Sequence, residues 1–65
     1  MQKIILVRDN KIVGVYVGGA RPWANPTEPP HIFDDIFDAR RHLIGLRNMD
    51  PMNAERMFLE EVCDG

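Results

Sequence analysis

The side chains able to perform metal or nucleophilic chemistry are few in this chain and poorly spaced for it. His31 and His42 are the two histidines, and Cys63 is the single cysteine. A metal site needs three or four donors at suitable spacing, and no His-x-x-x-His or Cys-x-x-Cys pattern occurs. A nucleophilic thiolate needs an adjacent base, and no residue near Cys63 in the sequence supplies one. We therefore expect no metal, no cofactor and no enzymatic activity, and we expect His42 to contact Asp38 one helical turn away.

One long segment carries residue types that bind other proteins. Residues 18–31 contain four of the five prolines and the single tryptophan. A connection of this length without regular structure is usually functional or disordered. Arg21 and Trp23 belong to the residue types most enriched at binding hot spots. We interpret them as anchors for a protein partner, with the alternative that Trp23 folds back and covers the apolar face of the hairpin that the helix leaves open.

Acidic side chains concentrate in two short segments, one at the start of a predicted helix and one near the C-terminus. They are Asp34, Asp35, Asp38, Glu60, Glu61 and Asp64. If both groups lie on one side of the fold, they imitate a row of phosphates and fit the nucleic-acid channel of a basic partner. The structural alternative is that acids at a helix start cap the helix and that acids in a tail favour solubility.

The charge balance disfavours direct binding to nucleic acid. The net charge is −2, with eight basic and ten acidic residues. A nucleic-acid-binding protein ordinarily has a basic stripe that neutralises phosphates, and none is present in the sequence. A fold that gathers Arg40, Arg41 and Arg47 on one surface is the remaining route, and it predicts a small nucleic-acid-binding accessory protein.

The length and cysteine content restrict the class of protein. Sixty-five residues make one domain, 1–65, and a domain this small buries only about 60% of its unfolded surface. A homodimer would relieve this shortage of core. A single cysteine cannot form the internal disulfides on which small secreted domains depend. The apolar run at the start is too short for a signal peptide, and no segment has the length of a membrane span. We therefore expect a cytoplasmic protein without a membrane partner.

Residues 2–17 predict an antiparallel β-hairpin. Asp9 and Asn10 separate two short runs rich in β-branched residues, and both tolerate the positive φ that a type I′ turn needs. This turn predicts three cross-strand pairs, which are Arg8 with Lys11, Leu6 with Val13, and Ile4 with Val15. The same register places Gly14 opposite Ile5.

Both faces of this hairpin are predicted to be apolar. One face is predicted to carry Ile4, Leu6, Val13 and Val15, and the other to carry Ile5, Val7, Ile12 and Tyr16. A single helix covers only one face of a sheet, so the second face requires the long loop, another helix or a partner chain.

Residues 34–47 predict an amphipathic helix that begins with Asp34 or Asp35 as its N-cap. Its apolar side is predicted to comprise Phe33, Ile36, Phe37, Leu43 and Ile44. Residues 57–63 predict a third strand, with a short helix as the alternative. Together these elements predict a small α+β domain of ββαβ type, with residues 18–31 as a proline-rich loop.

These observations favour a small non-enzymatic module that binds another protein. In its size, acidity and lack of a motif, the chain resembles small proteins of phages and mobile elements that inhibit a host enzyme or defence complex, anti-CRISPR proteins among them. This resemblance implies an inhibitor whose acidic residues steer it toward a basic, nucleic-acid-binding complex. The alternatives are an acidic DNA mimic that inhibits a nucleic-acid-binding protein, and a nucleic-acid-binding accessory protein.

Overall fold

The chain forms a four-stranded antiparallel sheet packed against an α-helix, which confirms the predicted α+β class. The computed structural model describes residues 1–63, so Asp64 of the second acidic segment lies outside the described residues. The elements are β1 (Gln2–Arg8), β2 (Lys11–Tyr16), β3 (Trp23–Ala24), α1 (Ile36–Met49), a short 3-10 helix (Ala54–Arg56) and β4 (Met57–Glu61). The strand order is β3-β2-β1-β4, so β1 has a strand on each side.

The predicted turn between β1 and β2 is present. Asp9 and Asn10 have φ values of 53° and 63°, and Arg8 pairs with Lys11 as expected. Positive φ at both central residues matches the right-handed twist of the flanking strands, which is why this turn type closes short hairpins.

The predicted register fails beyond the first pairs because β2 contains a bulge. The register shifts between Leu6 and Val7, and Leu6 lies opposite Gly14 instead of Val13. A bulge places two residues of one strand against one residue of its partner, and here Val13 is the additional residue. Gly14 is buried, and a Cβ at this position would lie 3.3 Å from the carbonyl oxygen of Ala24.

This shift exchanges the faces predicted for the end of β2. Val15 pairs with Ile5 instead of Ile4, so Val15 lies on the face of Ile5. Tyr16 lies on the opposite face and packs with Ile4, which is fully buried. The sheet is therefore apolar on both faces, as expected, but with different members on each.

One buried cluster joins the sheet to α1. Its members come from β1, the segment before the helix, α1 and β4, and they are Ile4, Phe33, Ala39, Leu43 and Met57. Of the predicted apolar side of the helix, Phe33 and Leu43 are buried as expected, whereas the prediction is wrong for Ile36, Phe37 and Ile44. Phe37 is 65% exposed and Ile44 is 57% exposed.

The error in the helix stripe has a local cause. Asp35 is the N-cap, and its side chain accepts a hydrogen bond from the backbone N–H of Phe37 at 2.9 Å. Phe33 therefore precedes the helix, where its backbone exchanges two hydrogen bonds with Gln2, at 2.8 and 2.9 Å. Because Phe33 lies outside the helix, the buried side of α1 is formed by Ala39 and Leu43 instead.

The segment predicted as a structureless loop contains β3 and a tight reversal. Gly18 and Gly19 adopt φ values of 81° and 78°, a region that glycine enters at little cost. The backbone N–H of Val17 then donates to Pro22 at 2.7 Å, and β3 pairs with the end of β2. The chain returns to the sheet where the N–H of His31 donates to the carbonyl of Tyr16 at 2.8 Å.

The C-terminal segment is a strand, as favoured by the sequence. β4 pairs antiparallel with β1, with Ile4 opposite Leu59. Arg47 joins the end of α1 to this strand, since its Nε donates to the carbonyl of Ala54 at 3.1 Å and its Nη2 donates to that of Met57 at 2.8 Å. Its side chain thus fixes the connection between helix and strand.

Replacing Arg47 should destabilise the domain. Arg47→Met keeps much of the aliphatic stem but removes both hydrogen bonds, and we expect a loss of about 2 kcal/mol in the free energy of unfolding. Arg40→Met is the matched control, because Arg40 is exposed on the same helix, and its effect should stay within about 0.5 kcal/mol. Urea denaturation at one fixed protein concentration measures both. Equal midpoints for the two variants would contradict this role of Arg47.

Candidate functional site

The candidate site is a groove beside β3 that brings both predicted anchors together. It has a volume of about 700 Å³, and its lining includes Arg21, Trp23, Glu28 and Pro29. Gly14 forms part of its floor, where the missing side chain leaves space. The groove therefore offers an aromatic surface next to one positive and one negative side chain.

Trp23 is held in place by the fold and is also part of its core. Its ring meets the ring of Tyr16 edge to face, with centroids 6.1 Å apart, and it packs against the buried cluster. Trp23 remains half-buried, so part of its surface faces the groove. It lies on the helix side of the sheet, and the alternative that it covers the face left open by the helix is wrong.

Arg21 differs from Trp23 because it is exposed. It follows the Gly18–Gly19 reversal and precedes β3, whose pairing with β2 fixes the direction of the backbone. The charge of Arg21 is therefore exposed to solvent, and Arg21 has no role in the core.

The acidic residues serve different purposes in the structure. Asp35 caps the helix, and Glu60 pairs with Lys3, whose Nζ lies 3.1 Å from a carboxylate oxygen. Asp38 lies in the first turn of α1, with its Oδ1 3.7 Å from Nδ1 of His42, which confirms the expected contact. The structural interpretation therefore holds for Asp35, and Glu60 is partly neutralised.

Two of the acids lie at the same end of the sheet. Gln2 pairs with Phe33 on one side and with Glu61 on the other, and Asp34 follows Phe33 directly. Neighbouring strands are about 4.8 Å apart, so the backbones of Phe33 and Glu61 are separated by about 10 Å. The fold thus brings one acid from each predicted group, Asp34 and Glu61, to the start of β1.

The three arginines of the helix do not gather on one surface. Arg47 is bound to two carbonyl groups, as described above. Arg40 and Arg47 border the same groove beside β4, whereas Arg41 borders a different groove together with Asp38. Two of the three arginines therefore share a surface, and the nucleic-acid-binding accessory function stays a prediction.

An aromatic cluster with both histidines is the feature that sequence reasoning missed. His31 and His42 both contact Phe33, with ring centroids 4.5 and 4.8 Å from it and 6.5 Å from each other, and Tyr16 stacks on Phe33 at 6.1 Å. The aromatic residues at 31 and 33 share a face because of their spacing of two in an extended segment. Recognising this required the knowledge that residues 31–33 are extended beside β1.

Residues 1–63 contain neither a metal-binding cluster nor a membrane-spanning helix. No three His, Cys, Asp or Glu side chains in this range cluster closely enough to hold a metal ion. No helix in the same range combines the length and the apolar character needed to cross a bilayer.

Comparison with known proteins identifies no relative. No family model, no curated protein and no solved structure matches the chain. The expected partners, the inhibitory role and the compartment therefore stay predictions, and the groove at β3 rests on the geometry of this chain alone.

The different roles of neighbouring acids can be separated by mutation. Asp35→Ala removes the N-cap and should cost about 1 kcal/mol of stability. Asp34→Ala is its control, because Asp34 is exposed and has no capping bond, and its effect should stay within about 0.5 kcal/mol. Thermal unfolding of both variants measures the difference. A larger loss for Asp34 than for Asp35 would contradict the assignment of the cap.

Proposed function

We propose that this protein is a non-enzymatic module that binds another protein through the groove at β3. The observation that carries this proposal is the placement of exposed Arg21 beside half-buried Trp23 along one open groove. Arginine and tryptophan dominate binding hot spots because one supplies several donors and the other a large rigid contact area. The groove contains both types within two residues of chain.

The rigid attachment of Trp23 supports this use. Binding normally costs free energy for each side chain that must be ordered in the complex. Trp23 is already ordered by Tyr16 and by the pairing of β3. A partner that inserts a side chain beside Trp23 therefore loses little of its binding energy to ordering.

The charges indicate the chemistry of the partner. The protein has a net charge of −2, and Glu28 lines the same groove as the anchors Arg21 and Trp23. A partner with a basic surface is attracted over long range by this charge. We therefore propose a basic protein or complex as the partner, and the inhibition of a host enzyme or defence complex as the consequence of its binding.

The proposal predicts which substitution abolishes binding without harm to the fold. Arg21→Glu should lower recovery of the bound protein at least tenfold, because it removes the guanidinium donors and the stem contacts of a hot-spot anchor, a loss that exceeds the gain in long-range attraction to a basic partner. Arg8→Glu is the matched control, since Arg8 is also exposed but lies at the hairpin turn. The measurement is capture by tagged protein from the source lysate, with quantitative mass spectrometry of what is retained.

The role of Trp23 needs a separate variant because the residue also packs on the core. Trp23→Phe preserves an aromatic ring beside Tyr16 and should unfold at nearly the same temperature as the wild type, yet retain less of the same partner. If Arg8→Glu and Arg21→Glu lose the partner equally, or if neither variant at the groove reduces capture, the groove is not the binding site.

The second candidate function is an acidic mimic of nucleic acid. The observation that favours it is the position of Asp34 and Glu61 at one end of the sheet, where the backbones of Phe33, which precedes Asp34, and of Glu61 are about 10 Å apart across the strands. Both side chains are exposed, and neither forms an ion pair within residues 1–63. Both carboxylates are therefore available to a partner. This function uses a different end of the molecule from the groove.

Acidic mimicry predicts a steep dependence on salt and on these two charges. The double variant Asp34→Asn, Glu61→Gln should weaken binding to a basic partner at least tenfold at low salt. The control is Asp9→Asn, Glu55→Gln, which removes the same charge elsewhere. Binding measured by calorimetry at low and high salt tests the idea, and affinity that does not change with salt would exclude it.

A further inference from the structure

The outer edge of β4 has backbone groups that no strand uses within residues 1–63. The N–H of Val62 donates to the carbonyl of Met1 at 2.8 Å, so Val62 directs its backbone groups toward β1. Backbone directions alternate along a strand, so residues 58 and 60 also face β1, whereas Leu59 and Glu61 face outward. Gln2 lies opposite Glu61 in β1, and its backbone groups bond to Phe33 on the side of β1 away from β4. This direction agrees with outward-facing backbone groups at Glu61.

This edge has no proline, lysine, bulge or very short strand to prevent strand addition, and the charged side chains of β4 are those of Glu60 and Glu61. Proteins protect exposed edges with proline, lysine, bulges or very short strands. β4 has five residues without proline or lysine, and its pairing with β1 is continuous. The opposite edge of the sheet is protected, because β3 has only two residues and β2 contains the bulge at Val13.

We propose that β4 pairs with β4 of a second copy of this chain, antiparallel, about a two-fold axis at Leu59. In this register Leu59 faces Leu59 of the second copy, and Met57 faces Glu61 of the second copy. The outward N–H groups of Leu59 and Glu61 then find acceptors across the seam, and the carbonyl of Met57 accepts both from Arg47 and from Glu61 of the second copy. The two sheets join into one of eight strands. An interface with two-fold symmetry repeats every favourable contact.

Charge complementarity selects this register. Nη2 of Arg47 donates to the carbonyl of Met57 at 2.8 Å, so a positive charge is held at the start of β4. The proposed pairing brings the carboxylate of Glu61 from the second copy opposite Met57 and therefore beside this guanidinium. Opposite charges on facing cross-strand positions stabilise a pair. Symmetry places the same ion pair at both ends of the seam.

Exposed apolar surface lies along the same seam. A groove of about 380 Å³ runs between α1 and β4, and it is lined by the apolar residues Leu43, Ile44, Phe58 and Leu59 together with Arg40 and Arg47. Ile44 is 57% exposed and Phe58 is 45% exposed. Joining the two edges places the grooves of both copies side by side, so this surface becomes covered together with the backbone.

The size of the protein favours a second copy. A stable interface buries at least about 600 Å² on each partner, which is about an eighth of the 4791 Å² surface of this chain. The strand edge and the adjacent groove together form a patch with both the hydrogen-bonding and the apolar character needed. All the residues that form the symmetric interface are present in each copy of the chain.

The test is the state of association of the full chain. Sedimentation velocity over roughly a hundredfold range of concentration should show the wild type passing from monomer to dimer. Glu61→Pro removes one outward N–H and the carboxylate while the bonds to β1 remain, so it should be monomeric throughout. Glu61→Lys should shift the midpoint of dimerisation at least tenfold. Glu28→Lys, the control for the charge change, should dimerise like the wild type.

Amide hydrogen exchange adds a readout at the proposed seam. The N–H groups of Leu59 and Glu61 should exchange more slowly as the concentration rises, whereas that of Lys11 at the hairpin turn should not. The proposal is overturned if the wild type stays monomeric, if the Glu61 variants dimerise normally, or if a dimer forms without protection of these two amides. A heterologous protein that occupies the edge of a monomeric chain would also overturn it.

Discussion

Ile4, in the central strand β1, lies fully buried in one cluster with residues from the segment before the helix, from α1 and from β4, namely Phe33, Ala39 and Met57. A chain of this length buries limited surface, so it builds this core with a single helix on one face of the sheet. The remaining surfaces follow from that restriction. Phe37 on the outer side of the helix, the edge of β4 and the groove at β3 stay open because no further element covers them.

Local signals predicted the elements well, whereas the relations between elements required the structure. The turn at Asp9 and Asn10, the cap at Asp35 and the strand character of the C-terminal segment all follow from short-range chemistry. The bulge at Val13 does not, because one additional residue leaves the alternating pattern of the strand unchanged until its partner is known. β3 has two residues, too few to produce a periodic signal.

The candidate site shows the same division. Arg21 and Trp23 were recognisable by residue type, but their groove depends on Gly14 and on the return of the chain toward Tyr16. The arginines of the helix looked alike in sequence, yet Arg47 alone is bound to the connection before β4. Residue types thus indicated which side chains could bind a partner, and tertiary contacts determined which of them remain available.

The central claim is that a partner protein contacts the groove at β3. Amide hydrogen exchange of the protein, alone and in complex with its captured partner, tests this most directly because it reports where backbone groups lose access to water. We expect added protection in residues 14–29, around Trp23, with little change at the start of α1. Protection confined to Asp34, Asp38 and Glu61 would contradict this account and identify the acidic end as the binding surface.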